Sequence, residues 1–384
     1  MSKKKRIVVK IGSSLLANEE KLTLRYAFMN GLMSDLADLQ SEGCEIILTS
    51  SGSVALGLNM IGKRPEDAGL LDKQAAAACG QPLLMNAYRQ VASEFGVEVA
   101  QMLVTVEDME ERRRFLNIKN TMLRLFENDI LPIINENDSV ATRDLKVGDN
   151  DRLSAKVAQM VDAKDFIILT EVDGLYDRHP DEEGARLIEE VEDVSEYMEA
   201  TTGKSTLGTG GMTTKLMAAN MAQEAGCSTY IAHGEAERPL SSVIDGERTC
   251  THFPPHEART SGWERWIANR LQMAGSLGIS DELADALQSG DRPIRREDIR
   301  SIDGDFQRGD VLHIYDESGT ERARGLCDFT SEELRVLAVN PHLDAEQLLG
   351  YRTKGEVIRA KNLVLLEGRH LLWDAPTPSE ASAA

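Results

Sequence analysis

Five short runs of apolar and β-branched residues mark the first half of this 384-residue chain: Arg6–Ile11, Glu45–Thr49, Val97–Val104, Ile130–Ile134 and Asp165–Leu169. Helical patterns separate them. Leu24, Phe28, Leu32, Leu36 and Leu39 share one face of the first, which Gly43 closes, and further patterns span Asp72–Phe95, Asp108–Asn128 and Arg152–Val161. Strand and helix in repeated alternation leave few topologies open. They imply a mainly parallel sheet covered on both faces, an α/β three-layer αβα sandwich, whose ligands bind beyond the carboxyl ends of the strands.

What stands at those ends is therefore informative. The run Ile130–Ile134 stops at Asn135-Glu136-Asn137-Asp138-Ser139, and Gly148-Asp149-Asn150-Asp151 follows closely. Amides both donate and accept while carboxylates accept only, so the mixture suits a zwitterion: carboxylates for an ammonium, amides for a carboxylate. Either cluster alone reads equally as a turn, because Asn, Asp and Gly favour turns; two around one short connection point to a site. Ser50-Ser51-Gly52-Ser53 follows the second strand and precedes a helix, an arrangement that serves as an anion grip or as an ordinary helix cap. Lys10 sits inside a β-branched run. On an edge strand it would face water, the commoner case for a lysine; on a buried strand it needs an anion. Lys10, Ser51, Asp138 and Thr170 all lie at or just past strand ends.

A second glycine-rich stretch, Thr206-Leu207-Gly208-Thr209-Gly210-Gly211-Met212-Thr213-Thr214-Lys215, is expected as a loop opening a helix from Leu216 to Ala225. Its glycines allow close approach to a phosphate, and the helix terminus adds donors. Neither common phosphate fingerprint is present: Met198 occupies the first glycine position of a Walker loop ending at Gly203-Lys204-Ser205, and Thr213 replaces the last glycine of the dinucleotide motif. A flexible linker is the competing reading.

Bulk properties exclude several classes. A net charge of −21 opposes nonspecific attraction to nucleic acid or anionic membrane. No apolar run approaches the roughly 20 residues of a bilayer span, and Met1-Ser2-Lys3-Lys4-Lys5-Arg6 leads into only a short apolar segment, so a cytoplasmic protein without membrane contact is expected. The cysteines, Cys44, Cys79, Cys227, Cys250 and Cys327, form no CxxC pair and read as reduced thiols. His252 and His256 are separated by Pro254 and Pro255, which denies them a shared helical face, so no transition-metal site is expected.

From about His252 the character changes. An amphipathic stretch from Trp263 to Leu287 precedes short β-like segments beginning near Asp291, with turns at Asp303-Gly304-Asp305 and Asp316-Glu317-Ser318-Gly319. The expected boundaries are a first domain over 1–258, a linker and entry over 259–290, a small mainly-β domain over 291–372 and a disordered tail over 373–384.

Taken together, Val8-Val9-Lys10-Ile11-Gly12-Ser13-Ser14, Ser50-Ser51-Gly52, Ile134-Asn135-Glu136-Asn137-Asp138, Val147-Gly148-Asp149-Asn150-Asp151 and Gly208 to Lys215 resemble the glutamate 5-kinase family of the amino acid kinase superfamily. Chains of that family often end in a PUA domain, which Gly304-Asp305-Phe306 and Arg308-Gly309-Asp310-Val311 resemble. The likeness implies the amino acid kinase fold and ATP-dependent phosphorylation of the side-chain carboxylate of L-glutamate, the first step of proline biosynthesis. It implies that Lys10 and Lys215 act on the transferring phosphoryl group and that Asp151 organises them. It assigns Ser51, Asp138 and Asn150 to glutamate, and Lys10, Thr170, Glu171, Thr209, Gly210, Gly211, Met212, Thr213, Thr214 and Lys215 to the nucleotide. Position 171 carries glutamate where aspartate is expected. The same likeness implies Mg²⁺ carried on the nucleotide phosphates, feedback inhibition by proline, a homo-oligomer, and handover of product to glutamate-5-semialdehyde dehydrogenase. Aspartate, acetylglutamate and uridylate kinases share the fold and are the alternatives; an RNA-binding regulator acting through the PUA-like domain is a reading of another class.

Glutamate's side chain, with a pKa of about 4.3, is already an ionised nucleophile at neutral pH, so no general base is required. The demand falls on relieving anion–anion repulsion, which lysines, backbone donors and a metal can meet.

Overall fold

The structure is a computed structural model that describes residues 4–18, 23–140, 149–197, 210–256, 267–268, 273–288, 292–340, 342, 345–351 and 355–366. The chain divides into two units, Met1–Ala258 and Arg259–Ala384.

Seven strands form the sheet of the first unit: β1 (Arg6–Ile11), β2 (Glu45–Thr49), β3 (Glu98–Val104), β4 (Ile130–Glu136), β5 (Asp165–Thr170), β6 (Ser228–His233) and β7 (Thr251–Phe253). Their spatial order is β7-β6-β5-β1-β2-β4-β3, parallel throughout except where β7 meets β6. The chain thus starts at a central strand, builds outward to one edge, and returns to the other side through β5. The crevice that such a reversal opens lies at the carboxyl ends of β1 and β5, beside Lys10 and Thr170.

The two-residue period of a strand decides which helices Lys10 meets. Ile7, Val9 and Ile11 join one apolar cluster with Met29, Leu32 and Leu36 of α1 (Tyr26–Ser41) and Leu84, Tyr88 and Val91 of α3 (Leu70–Glu94). Lys10 has the opposite parity. It therefore points to the other face, where α5 (Asp149–Met160) and α6 (Gly210–Glu224) pack on each other. Within the α3 layer, α2 (Ser53–Met60) lies against α3 so closely that a Cβ at Gly57 would stand 1.7 Å from Ala76 O, and one at Gly80 1.9 Å from Ser53 O. Only glycine permits that backbone contact.

Three local expectations change. Lys10 is not on an edge strand: β1 is flanked by β2 and β5, and Lys10 is buried at 6% exposure. The charged helix expected over 108–128 is two helices, Val106–Glu110 and α4 (Arg112–Phe126), because the Glu111 side chain caps the second by accepting from Arg113 N at 2.8 Å and Arg114 N at 3.2 Å. Finally, α6 begins at Gly210 rather than Leu216, so Gly210 to Lys215 form its first turns and not a loop.

The second unit holds a six-stranded sheet of β8 (Gly275–Ile279), β9 (Ile294–Arg295), β10 (Ile299–Gly304), β11 (Val311–Tyr315), β12 (Glu321–Cys327) and β13 (Glu356–Leu365), in the order β9-β13-β12-β11-β8-β10. Only β8 and β11 run parallel. The sheet buries Leu277, Ile279, Phe306, Leu312 and Ile314 against the helix Asp281–Gln288. Residues 275–288, expected to be linker and entry, are thus part of this core. Most of the stretch from Trp263 to 272, and the tail over 373–384, fall outside the described residues.

Candidate active site

Asp151, in the first turn of α5, is 1% exposed and receives three groups. Lys10 Nζ lies 2.7 Å from its Oδ1; Lys215 Nζ lies 3.6 Å from Oδ2; and the Thr214 hydroxyl donates to Oδ2 at 2.7 Å. The start of α6 at Gly210 makes this possible, since it sets Thr214 and Lys215 on the helix facing α5. Lys215 Nζ also donates to Gly211 O at 3.2 Å.

The charge balance here is uneven. Burial alone would raise the Asp151 carboxyl, but the Lys10 and Lys215 charges, with hydrogen bonds from Lys10 and Thr214, hold it below the usual carboxylate range. Burial, and then the like charge of Lys10, push the Lys215 ammonium down; Asp151 opposes this, and the exposed Glu171 adds a weaker favourable field. One carboxylate thus serves two ammonium groups. A buried surplus of positive charge is costly unless an anion completes it.

Beside this cluster lies an amide-lined cradle. Ser50 N donates to Ile134 O at 2.9 Å, and the Ser50 hydroxyl meets Tyr88 OH at 2.9 Å, which fixes the loop after β2 to both β4 and α3. Gly52, at φ +101°, turns the chain into α2 in a conformation that a side chain would strain. Asn150 Nδ2 donates to Ser51 Oγ at 2.9 Å and to Asn135 Oδ1 at 3.1 Å, while its Oδ1 accepts from Glu136 N at 3.3 Å. Asn135 Nδ2 in turn donates to Gln81 Oε1 at 2.9 Å.

The structure therefore brings Lys10, Asp151, Thr214 and Lys215 into one cluster and Ser51 and Asn150 into one network. Asp138 begins the turn Asp138–Val140, half-buried against α3. Thr170 ends β5, and its carbonyl accepts from Gly234 N at 2.8 Å. Gly211, Met212 and Thr213 occupy the first turn of α6, half-buried. Thr209, like Val147 and Gly148, lies outside the described residues. Two participants carry no sequence signal of their own: Gln81, within a long alanine-rich helix, and the role of Thr214 as a donor to Asp151.

Fold and site together define a class: an α/β sandwich with a buried cationic cluster at its strand switch point and a polar cradle alongside, the arrangement of a phosphotransferase. The chain belongs to the amino acid kinase family, whose profile matches residues 5–233, and a PUA domain profile matches residues 275–339. Its relatives include two proteins named glutamate 5-kinase. That of Rhodospirillum rubrum is 40% identical over 362 residues, covering 93% of this chain and 96% of its own. That of Laribacter hongkongensis is 39% identical over 367 residues, covering 94% and 98%.

Proposed function

We infer that this chain is an ATP-dependent kinase that transfers the γ-phosphoryl group of ATP to the side-chain carboxylate of L-glutamate, giving glutamyl 5-phosphate and ADP, the step that opens proline synthesis. The observation that carries the reading is the buried pair of ammonium groups on one carboxylate, Lys10 and Lys215 on Asp151. A glutamate carboxylate oxygen forms the new bond to phosphorus; the bond from that phosphorus to the β–γ bridging oxygen breaks, and ADP leaves with the electron pair. No proton moves, because the acceptor is already ionised. Lys10 and Lys215 neutralise charge on the transferring group, Asp151 sets their spacing, and Thr214 holds Asp151 in place. Ser51, oriented by Asn150, grips a carboxylate of the amino acid and Asp138 its ammonium. Thr170, Glu171 and the start of α6 adjoin the nucleotide.

Among the described residues no group of three His, Cys, Asp or Glu could cage a metal ion. A magnesium ion on the nucleotide phosphates needs no such cage, because the phosphate oxygens supply its ligands. Bound there, it would share in neutralising the β- and γ-phosphates. Proline inhibition and a homo-oligomer belong to the same reading. Among the described residues no helix is long and apolar enough to cross a membrane.

An RNA-binding role for the second unit is the weaker reading: the chain is strongly acidic, and Arg292, Arg308, Arg322, Arg324 and Arg359 are each paired with a carboxylate that competes with a phosphate backbone. ADP release, measured with glutamate, aspartate, acetylglutamate and UMP in turn, tests the assignment. Turnover with glutamate well above the others supports it; preference for another acceptor rejects it.

A further inference from the structure

The polarity of the amide cradle is fixed from one end by a group that can only donate. The backbone N–H of Glu136 donates to Asn150, so the receiving atom is the amide oxygen Oδ1, at 3.3 Å. Asn150 therefore turns its NH₂ toward Ser51 Oγ and Asn135 Oδ1, at 2.9 and 3.1 Å. Asn135, accepting through its oxygen, must turn its own NH₂ toward Gln81 Oε1 at 2.9 Å and, more weakly, Ser53 Oγ at 3.4 Å. Asn135 is 1% exposed and Gln81 7%, so little water is at hand to replace a lost partner. Gly80 brings Gln81 within reach by letting α3 touch the backbone of α2 at Ser53.

The consequence falls on Ser51. Its oxygen accepts from Asn150, which leaves its O–H free to donate. We propose that Gln81 is a positioning residue for acceptor recognition: by accepting from Asn135 it completes, at the buried end, the polarity that the Glu136 N–H sets at the other, in which the Ser51 hydroxyl is presented as a donor to a carboxylate of the amino acid. With Gln81 unable to accept, the buried Asn135 NH₂ loses its main partner and Asn135 is held in that orientation from one side alone. Asn150 then has a less firmly placed second acceptor and holds Ser51 less closely in one orientation. The inference rests on the proposed reading of this site as the glutamate cradle.

Steady-state kinetics on the full chain, with glutamate and ATP varied separately, test it. Gln81→Met keeps the volume and removes the acceptor; Gln81→Asn keeps an amide one methylene too short to reach Asn135. Each is expected to raise the KM for glutamate about tenfold, the effect of one hydrogen bond, with a far smaller change in kcat and in the KM for ATP. In a Ser51→Ala background the Gln81→Met effect should shrink to less than about twofold, because both changes act on the same hydroxyl. A glutamate KM within twofold of wild type in whichever Gln81 variants fold overturns the proposal. So does an equal rise in both KM values, which marks general loosening, or a full effect that persists without Ser51. Absence of glutamate turnover in the wild-type protein would instead remove the glutamate reading itself, and this inference with it.

Discussion

Lys10 Nζ and Asp151 Oδ1 are 2.7 Å apart, one on the central strand β1 and the other on α5, with both side chains almost wholly buried. That contact does not neutralise the site, because Lys215 draws on the same carboxylate from 3.6 Å. The free protein thus buries a cationic excess, and on the proposed reading nucleotide phosphate relieves it and stabilises the fold.

Asp151→Asn removes the counter-charge and leaves two ammonium groups buried. Breaking a buried pair typically costs about 3–5 kcal/mol, so the melting temperature of the free variant should fall well below that of wild type. ATP should restore more of it than in wild type, since phosphate takes over the missing negative charge. Thermal melts with and without nucleotide check this; equal ATP-induced shifts in the two proteins would contradict it.

The pH dependence follows from the same cluster. Lys215 titrates below an ordinary lysine, and its positive form is the useful one, so kcat/KM for ATP should fall on the alkaline side at a pH below about 10.4. Bound phosphate raises that pKa, so the alkaline limb of kcat should lie higher than that of kcat/KM. For stability the signs differ between groups. The unfolded chain holds the Lys215 proton more tightly, so this burial cost eases as pH rises through the folded value. Asp151 is depressed, and its contribution is present above the unfolded value of about 3.9 and lost as pH falls below it. Lys215→Arg should abolish the alkaline limb.

Gly80→Ala places a methyl group 1.9 Å from Ser53 O, a backbone atom that cannot swing aside. Overpacking of this kind costs about 1–3 kcal/mol or more, and the forced parting of α2 and α3 should pull Gln81 from Asn135. A lower denaturation midpoint together with a raised glutamate KM is expected. Lost stability with unchanged KM would separate the helix contact from the cradle.

Asp138→Ala should act on the acceptor alone. A hydrogen bond to a charged group is worth about 1.5–3 kcal/mol, so a KM for glutamate raised roughly ten- to hundredfold is expected, with the KM for ATP unchanged. Kinetics with each substrate saturating in turn decide it.

Much of this architecture was legible because periodicity carries it: five β-branched runs and the helical spacing between them define a parallel sheet, and its carboxyl ends locate the cleft. Lys10 was harder. A lysine in a strand ordinarily faces water, and only the pairing of β1 with both β2 and β5 puts it inside. The first turns of α6 were hidden by composition, since adjacent glycines read as a loop although Gly210 and Gly211 here begin a helix. The stretch from Trp263 to Leu287 reads as one amphipathic segment, yet Gly275 and Gly278 within it belong to the strand β8. A Cβ on either would stand 2.4 Å from Asp303 O or 2.3 Å from Ser301 Oγ, so glycine is what lets β10 approach. Gln81 was illegible altogether: its part depends on Asn135 arriving from another strand, and no local pattern announces that meeting.

If both ammonium groups act on the transferring phosphate, removing either one slows phosphoryl transfer itself. The most direct measurement is the rate at which hydroxylamine traps acyl phosphate formed from glutamate and ATP, compared among the wild-type, Lys10→Ala and Lys215→Ala proteins. A loss of about 10³-fold is expected in each variant, with the circular dichroism spectrum retained. Trapping at the wild-type rate by either variant would contradict it.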